Sequence, residues 1–205
     1  MTNEDDRQPM SMGLMLTTLR QMWLPVLVML LCTVQYFGQF QLAPLNQKWL
    51  EFPASINYLA TTAEYWRLIT PIFIHYDIVH LGANLLVFWV FAGAVWQYQR
   101  RVFVLLLPLA ALASHCLEFV VVDHRFGGLS GVCFAYFGFM VAYQWLIPNG
   151  RLFVTKPTML VGFGFLLASG TPWLGAYAFY VHLGGCVVGM LAGLYYARID
   201  RKVEV

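Results

Sequence analysis

The sequence predicts an all-α membrane protein, a bundle of six transmembrane helices with a long interfacial loop between the first and the second. Three observations predict it. Of 205 residues, 60% are hydrophobic and 11% charged, which leaves too little polar surface to cover a water-soluble globule of this size. Six apolar windows approach the roughly 20 residues that a helix needs to cross a bilayer core of about 30 Å. The basic residues gather at alternate connections between those windows.

The windows are 22–40, 78–96, 102–122, 129–147, 158–173 and 176–197. The first follows a polar, partly acidic stretch and lacks a small-x-small cleavage pattern, so it is expected to stay as an uncleaved anchor. Residues 41–77 make a long connection in which Pro44, Trp49, Phe52, Pro53, Tyr58, Tyr65 and Trp66 stand among polar residues, the mixture found at a headgroup interface. The second window opens after Asp77, a residue suited to cap a helix. Short connections such as 97–101 join antiparallel neighbours. The fifth window is short, and Gly162, Gly164 and Gly170 weaken it as a helix.

Cytoplasmic loops carry the excess of Lys and Arg. With the N-terminus inside, Arg7, Arg20, Arg100, Arg101, Arg151, Lys156, Arg198, Arg201 and Lys202 fall on the inner side, against Lys48, Arg67 and Arg125 outside. Both termini are therefore expected in the cytoplasm, with 1–21 and 198–205 as tails around one membrane domain, 22–197. A net charge of +2, with basic residues scattered at window ends, argues against a nucleic-acid partner. Cys32, Cys116, Cys133 and Cys186 lie within apolar windows without metal-ligand spacing and read as small packing residues.

Polar groups inside such windows are costly, which makes function their default explanation. Ser130, in Gly128-Leu129-Ser130-Gly131, opens the fourth window, and His182 lies in the sixth. Counting up from Arg151, Arg100 and Arg198 at about 1.5 Å per helical residue puts Ser130, His80 and His182 about 32, 30 and 24 Å above the inner surface. All three belong to the outer half. Gly185, Gly189 and Gly193 repeat every four residues, and Gly131, Ala135, Gly138 and Ala142 answer them from the fourth window, a small-xxx-small pattern that lets two helices approach closely. That approach brings Ser130 toward His182.

A serine hydroxyl becomes a useful nucleophile when a neighbouring neutral imidazole accepts its proton. Ser130 and His182 supply that minimum pair, while Gly128 and Gly131 beside the serine let a carbonyl come close and leave N–H groups free. The bland alternative is a serine that caps the fourth helix. His80 and Asn84, four residues apart, can point from one helical face toward the same cavity as oxyanion donors. Asn84 could instead bond a neighbouring helix. No third member of a triad is evident: Asp77 reads as an N-cap, Asp123 as a solvated loop residue, and His115 and His124 as structural or incidental. A metal or haem site built from His75, His80 and His182 lacks both a HExxH motif and a nearby carboxylate pair.

Glu64-Tyr65-Trp66-Arg67, then His75, His80 and Asn84 within HYDIVHLGANLL, then GGLSGVCFAYFGF around Ser130, then His182-Leu183-Gly184-Gly185 and its glycine stripe follow one another between residues 64 and 193. In these motifs and their order the chain resembles the rhomboid family of intramembrane serine proteases, in its bacterial six-span form. The resemblance implies a six-helix rhomboid bundle in a bacterial inner membrane, acting without a cofactor on transmembrane or membrane-anchored protein substrates. It further implies Ser130 as nucleophile, His182 as general base and acid, and His80, Asn84 and the Ser130 N–H as the oxyanion hole. Trp66 and Arg67 would give the interfacial loop a structural role, and the fifth span with Trp173 would act as a lateral gate. The family commonly has Tyr at the position of Phe134, stacked against the catalytic histidine; the phenyl ring keeps the stacking surface and lacks the hydroxyl. The family's extra cytoplasmic N-terminal domain is expected to be absent. Alternatives within reach of the same motifs are a rhombosortase-like processing peptidase and a non-catalytic rhomboid-like membrane binder.

Overall fold

A computed structural model of the chain describes residues 21–38, 56–121, 127–148, 150, 152–171 and 179–203. Asp123, His124, Trp173 and the first part of the interfacial connection lie outside the described residues. The helices are α1 (Trp23–Gly38), α2 (Ile56–Thr62), α3 (Ile78–Tyr98), α4 (Arg100–Val121), α5 (Ser130–Leu146), α6 (Lys156–Ala168) and α7 (Phe179–Val203), with single 3-10 turns at Tyr65–Leu68 and Thr70–Phe73. Among the described residues there is no strand.

Six of these helices coincide with the six apolar windows, and the short α2 and the two 3-10 turns occupy the second half of the long connection. By length and composition α3, α4 and residues 179–201 of α7 can each cross a membrane, while α1 and α6 are shorter apolar helices. The limits of two helices differ most from expectation. Helix α7 runs on past the sixth window through Arg198 and Arg201, because these are good helix formers and suit the negative end of the helix dipole. Helix α6 starts before the fifth window, where the Thr155 side chain accepts from the Thr158 N–H at 3.2 Å and Pro157 occupies the first turn. It ends earlier too, in the Ser169-Gly170 turn.

Helix α5 is the axis of the bundle, with nearly every residue from Gly131 to Tyr143 buried. Its partner α7 lies against it backbone to backbone: a Cβ on Gly185, Gly189 or Gly193 would strike the carbonyl of Gly131, Ala135 or Phe139 in turn. Gly184 faces the other way, onto the backbone of Ala113 and Ser114 in α4. Small side chains thus replace the hydrophobic drive that is missing between helices in lipid. Farther out, Leu86, Leu105, Leu109, Leu160, Val161 and Leu191 are exposed on the outer faces, as an apolar solvent requires.

At the C-terminal ends of α3, α5 and α7 the Tyr143 hydroxyl donates to Asp200 at 2.9 Å, Tyr98 also donates to Asp200, and the two tyrosine hydroxyls are 2.6 Å apart. These three helices therefore run parallel, and their N-terminal ends share the opposite end of the molecule. There the connection is braced by Arg67, buried and bonded to Glu64 at 2.5 Å, and by the Tyr58 hydroxyl, which donates to Glu64 at 2.6 Å. That donated proton raises the Tyr58 pKa, because ionising the phenol would forfeit the bond. His115 ties α4 to the same region through its Nδ1, 3.1 Å from the Leu68 carbonyl. Trp66 is only partly covered, at 39% exposed.

Candidate active site

The shared N-terminal end of α3, α5 and α7 holds His80, Ser130 and His182. Gly128 adopts φ +117°, a left-handed conformation that strains any residue with a Cβ, and turns the chain into α5. Leu129 takes the cap position, so Ser130 is the first helical residue and not the cap. Its hydroxyl faces across to α7, where Ser130 Oγ and His182 Nε2 are 3.0 Å apart. The backbone contact between Gly131 and Gly185, one residue past the serine and three past the histidine, sets this separation.

His182 is buried, 5% exposed, and both nitrogens and a ring face are engaged. Nδ1 lies 3.0 Å from Ser169 Oγ, at the end of α6. The Phe134 ring lies 4.8 Å from the imidazole at an interplanar angle of 33°, and Phe165 of α6 lies 5.8 Å away. One residue before the histidine, the Val181 N–H donates to Glu118 Oε2 of α4 at 3.2 Å, so a buried carboxylate holds the first turn of α7.

His80 and Asn84 come from α3. Asp77 caps that helix, its Oδ1 accepting from the His80 N–H at 2.8 Å, and this orients the first turn. Both side chains close on Gly128: a Cβ there would lie 2.9 Å from His80 Nε2 and 3.3 Å from Asn84 Nδ2. His80 and Asn84 can therefore approach the chain two residues before Ser130 this closely only because that residue is glycine. The Asn84 Nδ2 group is buried and has no hydrogen-bond partner among the described residues. An unpaired buried donor is expensive, and it points to a site built to receive an acceptor.

The two flanking glycines differ in what surrounds them. The Gly128 N–H donates to the Pro71 carbonyl at 2.9 Å, and its missing side chain lets the His80 ring pack against the backbone there. Gly131 lies against Ser114 and Val181, where a Cβ would come within 2.6 Å of the Ser114 hydroxyl, and serves helix packing. His75 sits beside His80, rings 5.1 Å apart, and its Nδ1 is 3.2 Å from the Phe73 carbonyl. Burial drives the His75 pKa down to about 4, which keeps this ring neutral. Among the described residues no three His, Cys, Asp or Glu side chains converge to hold a metal ion.

Sequence reasoning passed over Ser169, Phe165 and Glu118. Ser169 and Glu118 are polar residues within or beside apolar windows, and that signal alone could have drawn attention to them. Their partners, in contrast, lie on other helices.

The Rhomboid domain family matches residues 62–199, from the end of α2 through most of α7. The chain is similar to the rhomboid protease GlpG of Salmonella paratyphi A (strain ATCC 9150 / SARB42), 30% identical over 187 residues, covering 85% of this chain and 64% of that protein. The proteins of the same name from Salmonella typhi and Salmonella newport (strain SL254) are each 29% identical over the same shares. The chain thus spans less than two thirds of the length of these relatives. The family match takes in every residue of the site just described, together with α3 to α6 and the small-residue packing of α5 on α7. This integral membrane protein belongs to the rhomboid family.

Proposed function

We propose that the chain is an intramembrane serine endopeptidase that cleaves transmembrane or membrane-anchored proteins through a Ser130-His182 dyad. The observation that carries this reading is the 3.0 Å approach of Ser130 Oγ to His182 Nε2 inside an apolar bundle, at the geometry a nucleophile and its base require. As Ser130 Oγ bonds to the scissile carbonyl carbon, its proton passes to Nε2 and the carbonyl π electrons move onto oxygen. His80, the Asn84 amide and the Ser130 N–H at the positive end of α5 receive that oxyanion. Collapse breaks the C–N bond, and the imidazolium returns its proton to the leaving amine. The same imidazole then deprotonates a water that attacks the acyl-serine ester and restores the hydroxyl.

The reading extends to placement. Six spans, with both termini in the cytoplasm of a bacterial inner membrane, agree with the position of Arg100, Arg198 and Arg201 at the end of the bundle opposite Ser130. Helix α6 is the natural place for substrate entry, since Leu166 is its one buried residue. A fluorophosphonate should label the purified protein on Ser130, and labelling should vanish in Ser130→Ala and in His182→Ala while both remain folded. Asn84→Ala should slow labelling by roughly a hundredfold, the loss of one oxyanion donor. Labelling that survives in Ser130→Ala would overturn the proposal.

A further inference from the structure

The imidazole of His182 lies between two serine hydroxyls, and the second is not accounted for by a dyad. Ser130 Oγ is 3.0 Å from Nε2, and Ser169 Oγ is 3.0 Å from Nδ1. A neutral imidazole carries one proton, and only the nitrogen without it can act as a base. Which nitrogen is bare therefore decides whether Ser130 is activated.

Ser169 decides it through where its own proton goes. A serine hydroxyl has a single O–H to donate. That proton is directed to the Leu166 carbonyl at 2.7 Å. Leu166 is in the last turn of α6, where carbonyls lose their helical partners, and the Gly170 N–H turns to the Leu167 carbonyl at 3.2 Å. The Ser169 hydroxyl is thus committed to Leu166, and toward Nδ1 it has only lone pairs. Nδ1 must be the donor.

We propose that Ser169 is a positioning residue which holds His182 with its proton on Nδ1, leaving Nε2 bare toward Ser130. This rests on the reading of Ser130 and His182 as nucleophile and base. Both partners are buried, Ser169 at 1% and His182 at 5% exposed, so solvent does not compete for the bond. When His182 takes the serine proton, the bond from Nδ1–H to Ser169 becomes charge-assisted and strengthens as the reaction proceeds. A hydroxyl does here what a carboxylate does in a Ser-His-Asp triad, without placing a further charge in the bilayer. Phe134 and Phe165 pack against the same imidazole, their rings tilted to it.

The test combines kinetics with a direct reading of the tautomer, on the full chain in detergent. Nitrogen-15 NMR of histidine-labelled protein should show His182 protonated on Nδ1, and Ser169→Ala should shift it toward the Nε2–H form or a mixture. The same variant should lower kcat and the fluorophosphonate labelling rate by about tenfold to a hundredfold, the scale of one hydrogen bond to a charged group, with KM unchanged. Ser169→Thr, which keeps Oγ, should recover most of the rate. A wild-type His182 protonated on Nε2 overturns the proposal even if Ser169→Ala does not fold. So does a Ser169→Ala protein with wild-type rate and tautomer. Loss of labelling in Ser130→Ala alongside a silent Ser169→Ala would remove only the role of Ser169, whereas labelling that persists in Ser130→Ala removes the dyad itself.

Discussion

The Cα of Gly185 lies so close to the Gly131 carbonyl that a methyl group on it would need the space the oxygen occupies. Backbone cannot yield as a flexible side chain can, so Gly185→Ala should push α7 away from α5 and draw His182 away from Ser130. The expected result is a lower unfolding temperature in detergent and loss of most fluorophosphonate labelling. Gly93→Ala is the matched control, since the nearest atom there is the mobile tip of Met22, 3.1 Å from the new methyl. It should leave labelling intact. A fully active Gly185→Ala would show that some other contact sets the Ser130-His182 separation.

Phe134 presents its ring to the imidazole at 4.8 Å and stacks with Phe165 at 6.2 Å, so it supports His182 by surface and not by hydrogen bonding. Phe134→Tyr should therefore keep most of the labelling rate. Phe134→Ala removes the whole face and leaves a cavity, with an expected loss of about 3 kcal/mol or more in stability. Labelling should fall with it. Thermal unfolding and labelling of the two variants side by side distinguish support by the ring from support by a hydroxyl.

His75 makes stability depend on pH. Burial depresses its folded pKa to about 4, while in the unfolded chain it titrates near the ordinary 6.5, so between those values the unfolded state binds more protons. Its contribution to stability is complete above about pH 6.5 and is lost as the pH falls toward about 4. The unfolding temperature should drop over that interval. His75→Asn, which can still donate to the Phe73 carbonyl, should flatten the drop; an unaltered acid slope would assign it to other groups.

The order of the apolar windows, the cap at Asp77, the two columns of small residues and the isolated Ser130 and His182 are properties of the chain itself, legible because each is a local or periodic pattern. The glycine columns even carried a tertiary statement, since small residues every fourth position mark where two helices come closest. What the pattern did not contain was the far side of each contact. Ser169 meets His182, Glu118 meets Val181 and the Gly128 N–H meets the Pro71 carbonyl across gaps in sequence that no period spans. The helix ends moved for a related reason, because capping by Thr155 and the continuation of α7 through Arg198 depend on hydrogen bonds and helix propensity that hydropathy does not register. Sequence determined which polar groups stand within apolar windows; only the packing of the other helices around α5 decided which of them touch, because proximity in a bundle is fixed by the shapes of neighbouring faces.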